Sequence, residues 1–503
     1  MNDFLQHIFP ALNITLFSLG FFIPELVLIV GFVVAILLDL FAPKKNDTII
    51  FGFTLLVIIG IGILSFQQLD FLGKRPISLF ADSIALDKLA VKFKLILSVV
   101  SVLFLLFVRN NKQLTAHFKG TGDLYCILIA AQLGLHLMVM ASSLLMVYIS
   151  IEMVSVASYI MVGYISGSPK QTEAAMKYAL FGGACSAMLL YGISLLYALT
   201  GTLGLNNPEF ILNLVSANYL GVGVAITLVL IGIGYKLSFA PLHFWSPDVY
   251  EGAPTPVTAF LSTAPKIAGF AVLIRFLSAF QSFRLGGFSY PVFDYSLVLS
   301  VIAIATMIIG NFSALWQENI KRMLAYSSIG HTGFLLMAII SYSPTGFNSL
   351  LFYLLVYAFM NMAVFFIADK IEEKTGAVNL NDYKGLGKIL KVELFCFVIV
   401  LVALTGLPPT AGFISKFLVF SSALQVYSSS SSLTVLMVMI TGALTTVVSL
   451  FYYFKVPLNA YLREGDSKVQ YEGRSFPVLP VVLTVLLIFL GIFPEFLTNF
   501  FDR

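Results

Sequence analysis

Apolar runs of about 20 residues, each closed by a polar, Gly or Pro break, recur from one end of this chain to the other. That is the length an α-helix needs to cross the hydrocarbon core of a bilayer. About fourteen runs can be drawn: 14–40, 48–67, 89–108, 121–140, 143–165, 172–199, 219–241, 255–280, 294–315, 321–340, 346–369, 392–423, 432–455 and 476–499. The longest stretches between them, 67–88, 369–391 and 456–475, are too short for a soluble domain. The serines of 428–432 form a polar turn tip. The pattern predicts an all-α polytopic membrane protein.

Two runs are interrupted. Span seven carries Pro241 five residues after Lys236, and span twelve carries Pro408 and Pro409 between Gly406 and Gly412. Proline removes a backbone donor and clashes with the preceding turn. Non-helical backbone at membrane depth persists only inside protein or beside water. If spans 4–8 and 9–13 are two repeats, each break falls in the fourth span of its set. Five spans is an odd number, so the second repeat is inverted relative to the first. The predicted divisions are 1–120 with spans 1–3, 121–280 and 294–455 with the repeats, and 456–503 with span 14.

Composition sharpens this reading. Only 11% of residues are charged, against about 25% in soluble domains. The 47 Phe and 22 Tyr exclude a disordered chain. A net charge of +4 with no basic patch excludes nucleic acid as a partner and leaves the lipid bilayer. Cys126, Cys185 and Cys396 stand alone in apolar runs, so no iron–sulfur cluster, structural zinc or disulfide framework is expected. The opening MNDFLQHIFP has no basic n-region, so no removable signal peptide is read. With the N-terminus outside, the outer loop cations are Lys74, Arg75, Lys88, Arg284 and Arg503. The more numerous remaining loop cations, among them Lys44, Lys45, Lys119, Lys370, Lys388, Lys468 and Arg474, then lie inside. The positive-inside bias thus predicts both termini on the outer face.

The chemistry lies in charges that a bilayer should reject. Glu152 sits in LLMVYISIEMVSVASYIMV, Lys177 near the start of span six, and Lys236 in LVLIGIGYKLSFAPL. Lys266 sits in FLSTAPKIAGF, Lys416 in LPPTAGFISKFLVF, and His331 in AYSSIGHTGFLLM at the place in span ten that matches Glu152. A central charge costs about 2.5–3.5 kcal/mol, or roughly 12–17 for five such charges left unpaired and dry. One carboxylate and four amines in adjacent spans is the composition of a proton path. Burial drives a lysine toward its neutral form and a nearby carboxylate opposes this, so small movements can load and empty it.

Plainer readings exist for each residue. Lys177 is close enough to a span end to snorkel, and Lys92, Lys94 and Arg275 read as interfacial. Glu25, after Pro24, reads as structural near a boundary, and His331 alone is as compatible with a packed core histidine as with a proton carrier. His243, Asp248 and Glu251 in PLHFWSPDVYEGAP are a weak metal candidate, and Trp245 and Tyr250 read as interfacial anchors. No phosphate-binding loop or catalytic triad appears.

The run YKLSFAPLHFWSPDVYEGAPTPVTAFLSTAPKIAGF (235–270) resembles the signature of subunit N of NADH:quinone oxidoreductase, respiratory complex I. ENIKRMLAYSSIGHTGF (318–334) resembles the motif shared by antiporter-like subunits, and GLPPTAGFISKF (406–417) resembles their broken twelfth span. Three features favour the N type: Lys266 within STAPK, Lys rather than Glu at 416, and a chain that stops soon after span fourteen, without a long lateral helix. The resemblance implies a proton-translocating subunit of the membrane arm, beside other antiporter-like subunits. It further implies that Glu152 pairs with Lys236, that Lys177 modulates Glu152, that Lys266 and His331 continue a central axis, and that Lys416 ends it. NADH, flavin, iron–sulfur clusters and quinone would belong to partner subunits, with no cofactor in this chain. One alternative is a subunit of a multisubunit Na+/H+ antiporter. Another is a structural membrane-arm spacer with static buried ion pairs.

Overall fold

The structure is a computed structural model that describes residues 2–41, 47–73, 76–117, 120–165, 167–280, 283–285, 288–290, 295–340, 343–464 and 477–502, with side chains described from residue 12 onward and not within 281–294. Several cations of the orientation argument, Lys44, Lys45, Lys74, Arg75, Lys119, Lys468, Arg474 and Arg503, lie outside the described residues.

Among the described residues, twenty α-helices carry most of the chain. The N-terminal part holds α1 (Asn2–Phe21), α2 (Ile23–Phe41), α3 (Asp47–Phe71), α4 (Lys88–Asn110) and the single turn α5 (Lys112–Thr115). A hairpin of two short antiparallel strands, β1 (Ile77–Leu79) and β2 (Ile84–Leu86), precedes α4. Next come α6 (Gly122–Met140), α7 (Leu144–Val162), α8 (Pro169–Thr200), α9 (Pro208–Ser216), α10 (Tyr219–Leu237), α11 (Trp245–Gly252) and α12 (Thr255–Ser278). After a second hairpin follow α13 (Ser296–Leu315), α14 (Ile320–Ile340), α15 (Pro344–Thr375), α16 (Lys391–Thr405), α17 (Ala411–Ser430) and α18 (Leu433–Pro457). The last two are α19 (Val478–Ile492) and α20 (Glu495–Asp502).

Among the described residues twelve helices are long and apolar enough to cross a membrane, or thirteen if α19 and α20, which meet at 75°, form one bent span. The remaining expected run, 392–423, is divided between α16 and α17. The fold is therefore the nearly all-helical polytopic one that the apolar runs predict. The start differs: α1 ends at Phe21, and α2 begins at Ile23 in the middle of the first expected run.

The helices of 121–280 and those of 294–455 share a packing scheme. In the first set α6 contacts α7 and α12, α7 contacts α8, α8 contacts α10, and α10 contacts α12. In the second, α13 contacts α14 and α18, α14 contacts α15, α15 contacts both α16 and α17, and these contact α18. The third helix of each set is 32 residues long, has Pro in its first turn, and ends on a left-handed glycine, Gly201 or Gly376. Pro suits that first turn because the N–H it lacks would have no intrahelical acceptor there. Gly suits the end because positive φ costs it nothing.

Burial sorts the helices. The apolar windows of α12 and α15 are buried along their whole length, and α14 nearly so. By contrast α2, α3, α8 and α18 turn many large apolar side chains outward, among them Val30, Leu56, Leu180 and Leu444. Such a surface suits lipid rather than water. The centre of the molecule is thus α12, α14 and α15, where the two sets meet.

Candidate functional site

Four of the ionisable residues singled out in the sequence, Lys236, Lys266, His331 and Lys416, are buried in this central region. Lys236 lies in the last turn of α10, whose C-cap, Ser238, is left-handed at φ 57°. Its Nζ has no hydrogen-bond partner among the described residues. Glu152, on α7, is half-buried and accepts a hydrogen bond from Ser186 of α8. Among the described residues no ion pair joins Glu152 to Lys236.

Lys266, on α12, is held across the boundary between the sets. Its Nζ donates to Ser328 Oγ at 2.6 Å and to Thr332 Oγ1 at 3.2 Å, both on α14. Thr332 Oγ1 in turn lies 3.1 Å from the Leu237 carbonyl and 3.0 Å from the Ser328 carbonyl of its own helix, and its one proton can serve either. The Leu237 carbonyl ends α10 beside Lys236, and the helix break leaves it free to accept. One hydroxyl therefore connects the broken span to Lys266. Ser328 Oγ continues to the Tyr357 hydroxyl at 2.7 Å.

His331 is one residue from Thr332 on α14. Its Nδ1 lies 2.7 Å from the Tyr353 hydroxyl, and its Nε2 lies 3.4 Å from the Tyr453 hydroxyl, which also bonds Ser327. Tyrosine hydroxyls both donate and accept, so either tautomer of His331 can be satisfied. A small polar cleft lined by Asn311, His331, Lys416, Thr445 and Tyr452 brings His331 and Lys416 to one space.

Lys416 Nζ donates to the Thr405 carbonyl at 2.7 Å and lies 5.6 Å from the centre of the Phe334 ring. Thr405 ends α16, and Lys416 sits in the second turn of α17. The ammonium thus caps the helix end that the break exposes, where the macrodipole is negative. Gly406 is left-handed at φ 85°, and a Cβ there would come within 2.6 Å of Lys416 Cδ.

Lys177 lies elsewhere. It pairs with Glu173 at 2.8 Å and Asp248 at 2.9 Å, and Asp248 also receives Arg322 at 2.7 Å. Arg322 reaches Glu251 at 3.1 Å. This cluster lines a polar recess of about 190 Å3 at the surface. Burial pushes the Asp248 carboxyl up, but hydrogen bonds from Lys177 and Arg322 outweigh it and hold the group below the usual carboxylate range. Ser186, which bonds Glu152, is nine residues beyond Lys177 on α8, roughly 13 Å along the axis. The structure therefore places Lys177 apart from Glu152.

Several side chains differ from their sequence reading. Asp248 and Glu251 both accept from Arg322. Trp245 and Tyr250 are buried, not interfacial; Trp245 Nε1 donates to the Tyr235 carbonyl at 3.0 Å. Lys92 and Arg275 are buried too: Lys92 bonds the Phe501 carbonyl, and Arg275 pairs with Asp87 at 2.8 Å. Lys94 is fully buried against Glu25. The hydroxyl partners of the axis, Ser328, Thr332, Tyr353, Tyr357 and Tyr453, had not been singled out. Their signal was present as i, i+4 pairs of hydroxyls, Ser328 with Thr332 and Tyr353 with Tyr357, on otherwise apolar spans.

Broken helices, buried ammonium groups and hydroxyl links between two packed sets define a polytopic membrane protein of the transporter class. The chain belongs to the NADH:quinone oxidoreductase/Mrp antiporter transmembrane family, whose profile matches residues 141–445. It is 38% identical over 476 residues to NADH-quinone oxidoreductase subunit N 2 of Chloroherpeton thalassium, covering 94% of this chain and 91% of that protein. A chain of respiratory complex I from Thermus thermophilus superimposes with a TM-score of 0.76 at 28% identity, covering 95% of this chain and 98% of that one. A chain of the Mrp complex from Dietzia sp. shares the fold, with a TM-score of 0.78 at 19% identity over 96% of each chain.

Proposed function

We propose that this chain is a proton-translocating membrane-arm subunit of an NADH:quinone oxidoreductase. It couples quinone reduction elsewhere in the complex to proton movement through Glu152, Lys236, Lys266, His331 and Lys416. The observation that supports this reading is the Thr332 hydroxyl, which accepts from Lys266 and lies within hydrogen-bond distance of the freed Leu237 carbonyl. A spacer needs pairs that cancel charge, yet among the described residues Lys266 and Lys416 are bonded only to neutral oxygens and an aromatic face. Neutral partners let a lysine exist in both charge states, as a carrier requires.

In this account Glu152 sets the field at Lys236, Lys266 and His331 pass protons along the axis, and Lys416 holds the last one. Lys177 modulates the path from the recess it shares with Asp248 and Arg322. Residues 121–280 and 294–455 act as two inverted repeats, flanked by 1–120 and 456–503. NADH, flavin, iron–sulfur clusters and quinone are bound by partner subunits, and other antiporter-like subunits are neighbours in the bilayer. The location is the bacterial cytoplasmic membrane, with both termini on the outer face.

The test is ion flux in vesicles holding the assembled complex. Proton uptake should follow quinone reduction and need no sodium. Glu152→Ala should cut it severely in complex that still assembles. Flux driven by a sodium gradient without quinone reduction would favour the Na+/H+ antiporter reading instead.

A further inference from the structure

The N-terminal helices hold a second buried ionisable cluster that the central axis does not use. Glu25 of α2, Lys94 of α4 and His136 of α6 are each 0% exposed. Glu25 Oε1 lies 2.6 Å from Lys94 Nζ and 3.0 Å from His136 Nδ1, while Glu25 Oε2 has no hydrogen-bond partner among the described residues. His136 Nε2 lies 3.2 Å from Gln132 Nε2, and Gln132 Oε1 accepts from Ser101 Oγ at 2.7 Å.

A static ion pair needs two partners, and Lys94 alone neutralises Glu25. A third, basic group in an apolar site adds desolvation cost with no charge left to balance. The tail of the chain suggests its use. As placed, Gln132 donates to Nε2, so His136 is neutral and carries its proton on Nδ1, which donates to Glu25. If the Gln132 amide turns over, its oxygen accepts from a protonated Nε2 and its NH2 donates to Ser101. Ser101 then turns its hydroxyl to a carbonyl of its own helix, a common bond for serine. Every member of the chain can reverse its role, so both protonation states of His136 are satisfied.

The other charges near α6 do not intrude. From α2 and α4, Glu25 and Lys94 face His136. From α12, Arg275 bonds the Val139 carbonyl and Asp87, while Lys266 is turned to α14. From α7, Glu152 is bonded by Ser186 of α8. Asp47 of α3 bonds Thr121, and Asp39 of α2 meets Asp123, both at the opposite end of α6. A recess of about 280 Å3, lined in part by Phe21, Pro24, Gln67 and Gln68, opens beside Pro24, the residue before Glu25. Gln68 Oε1 is unpartnered there.

We propose that Glu25, Lys94 and His136 form a second proton-binding centre, outside the central axis, at which His136 takes up a proton on Nε2. One N–H bond forms between a proton supplied by hydronium and His136 Nε2, water is released, and no electron moves. Glu25 holds both cations once the proton is on.

The test is an infrared titration of the intact complex across about pH 5–8, where an imidazole changes charge. Spectra of the parent are compared with those of His136→Gln, which keeps a polar group but cannot titrate. The proposal expects the ring bands of one imidazole converting to imidazolium in the parent and missing from the variant. Identical titrations of parent and variant would overturn it and leave a static pair. Should His136→Gln fail to assemble, Gln132→Leu decides, because it keeps all contacts of Glu25 while removing the reversible amide. Loss of the transition supports the proposal, and its survival overturns it. No turnover is needed, so the result is independent of whether the central axis pumps.

Discussion

Lys416 Nζ donates to the carbonyl of Thr405, eleven residues earlier and on the far side of the break in the twelfth span. A continuous helix would have used that carbonyl for its own N–H ladder. Here the interruption supplies the acceptor and brings it to the ammonium. Sequence shows the proline pair and the lysine separately. The bond shows why they occur together.

Gly406 makes that approach possible. Gly406→Ala puts a Cβ against Lys416 Cδ and a non-glycine residue in the left-handed region, at about 1–2 kcal/mol for the backbone alone. Expected is a complex that assembles but pumps several-fold more slowly, measured as the quinone-driven pH gradient per assembled complex. Parent-like pumping would show that the position of Lys416 is not critical.

The orientation is open to direct labelling. Lys388 and Ser429 are both exposed. In a chain with its three cysteines replaced by alanine, Lys388→Cys should react with a membrane-impermeant thiol reagent from the cytoplasmic side only. Ser429→Cys should react from the outer side only. The reverse pattern would invert the assigned direction of transport.

Asp248 gives a pH dependence with a definite sign. Its carboxyl titrates lower in the fold than in the unfolded chain. The stabilisation it confers is therefore present above the unfolded value, about 3.9. It is lost as pH falls through the depressed folded value. The melting temperature of the solubilised protein should fall on acidification below about pH 4, and this component should be absent in Asp248→Asn. At neutral pH the variant should be less stable by about 1 kcal/mol or less, because the site is partly exposed. Equal acid limbs would show that the Lys177–Asp248–Arg322 cluster contributes nothing.

The spans were legible because apolar runs of helix length are the strongest signal a membrane protein carries. The breaks at Pro241 and at Pro408 and Pro409 were legible because proline leaves backbone groups unpaired. Lys236, Lys266 and Lys416 stood out because apolar sequence flanks them on both sides. Lys94 did not, because it lies near a span end, where a lysine usually reaches water. Only the meeting of α2, α4 and α6 shows that it turns inward to Glu25. The separation of Glu152 from Lys236, and of Lys177 from Glu152, depends on helix rotation and depth. Neither is encoded in the spacing of charges along the chain.

Whether the buried lysines carry protons is tested most directly at Lys416. Arginine keeps the charge but does not deprotonate in proteins. The measurement is the quinone-driven pH gradient in vesicles holding Lys416→Arg, Lys416→Ala or the parent, normalised to assembled complex. A carrier predicts that Arg fails nearly as badly as Ala. If Lys416→Arg pumps like the parent while Lys416→Ala does not, Lys416 is a fixed electrostatic element and the proton-carrier account is wrong.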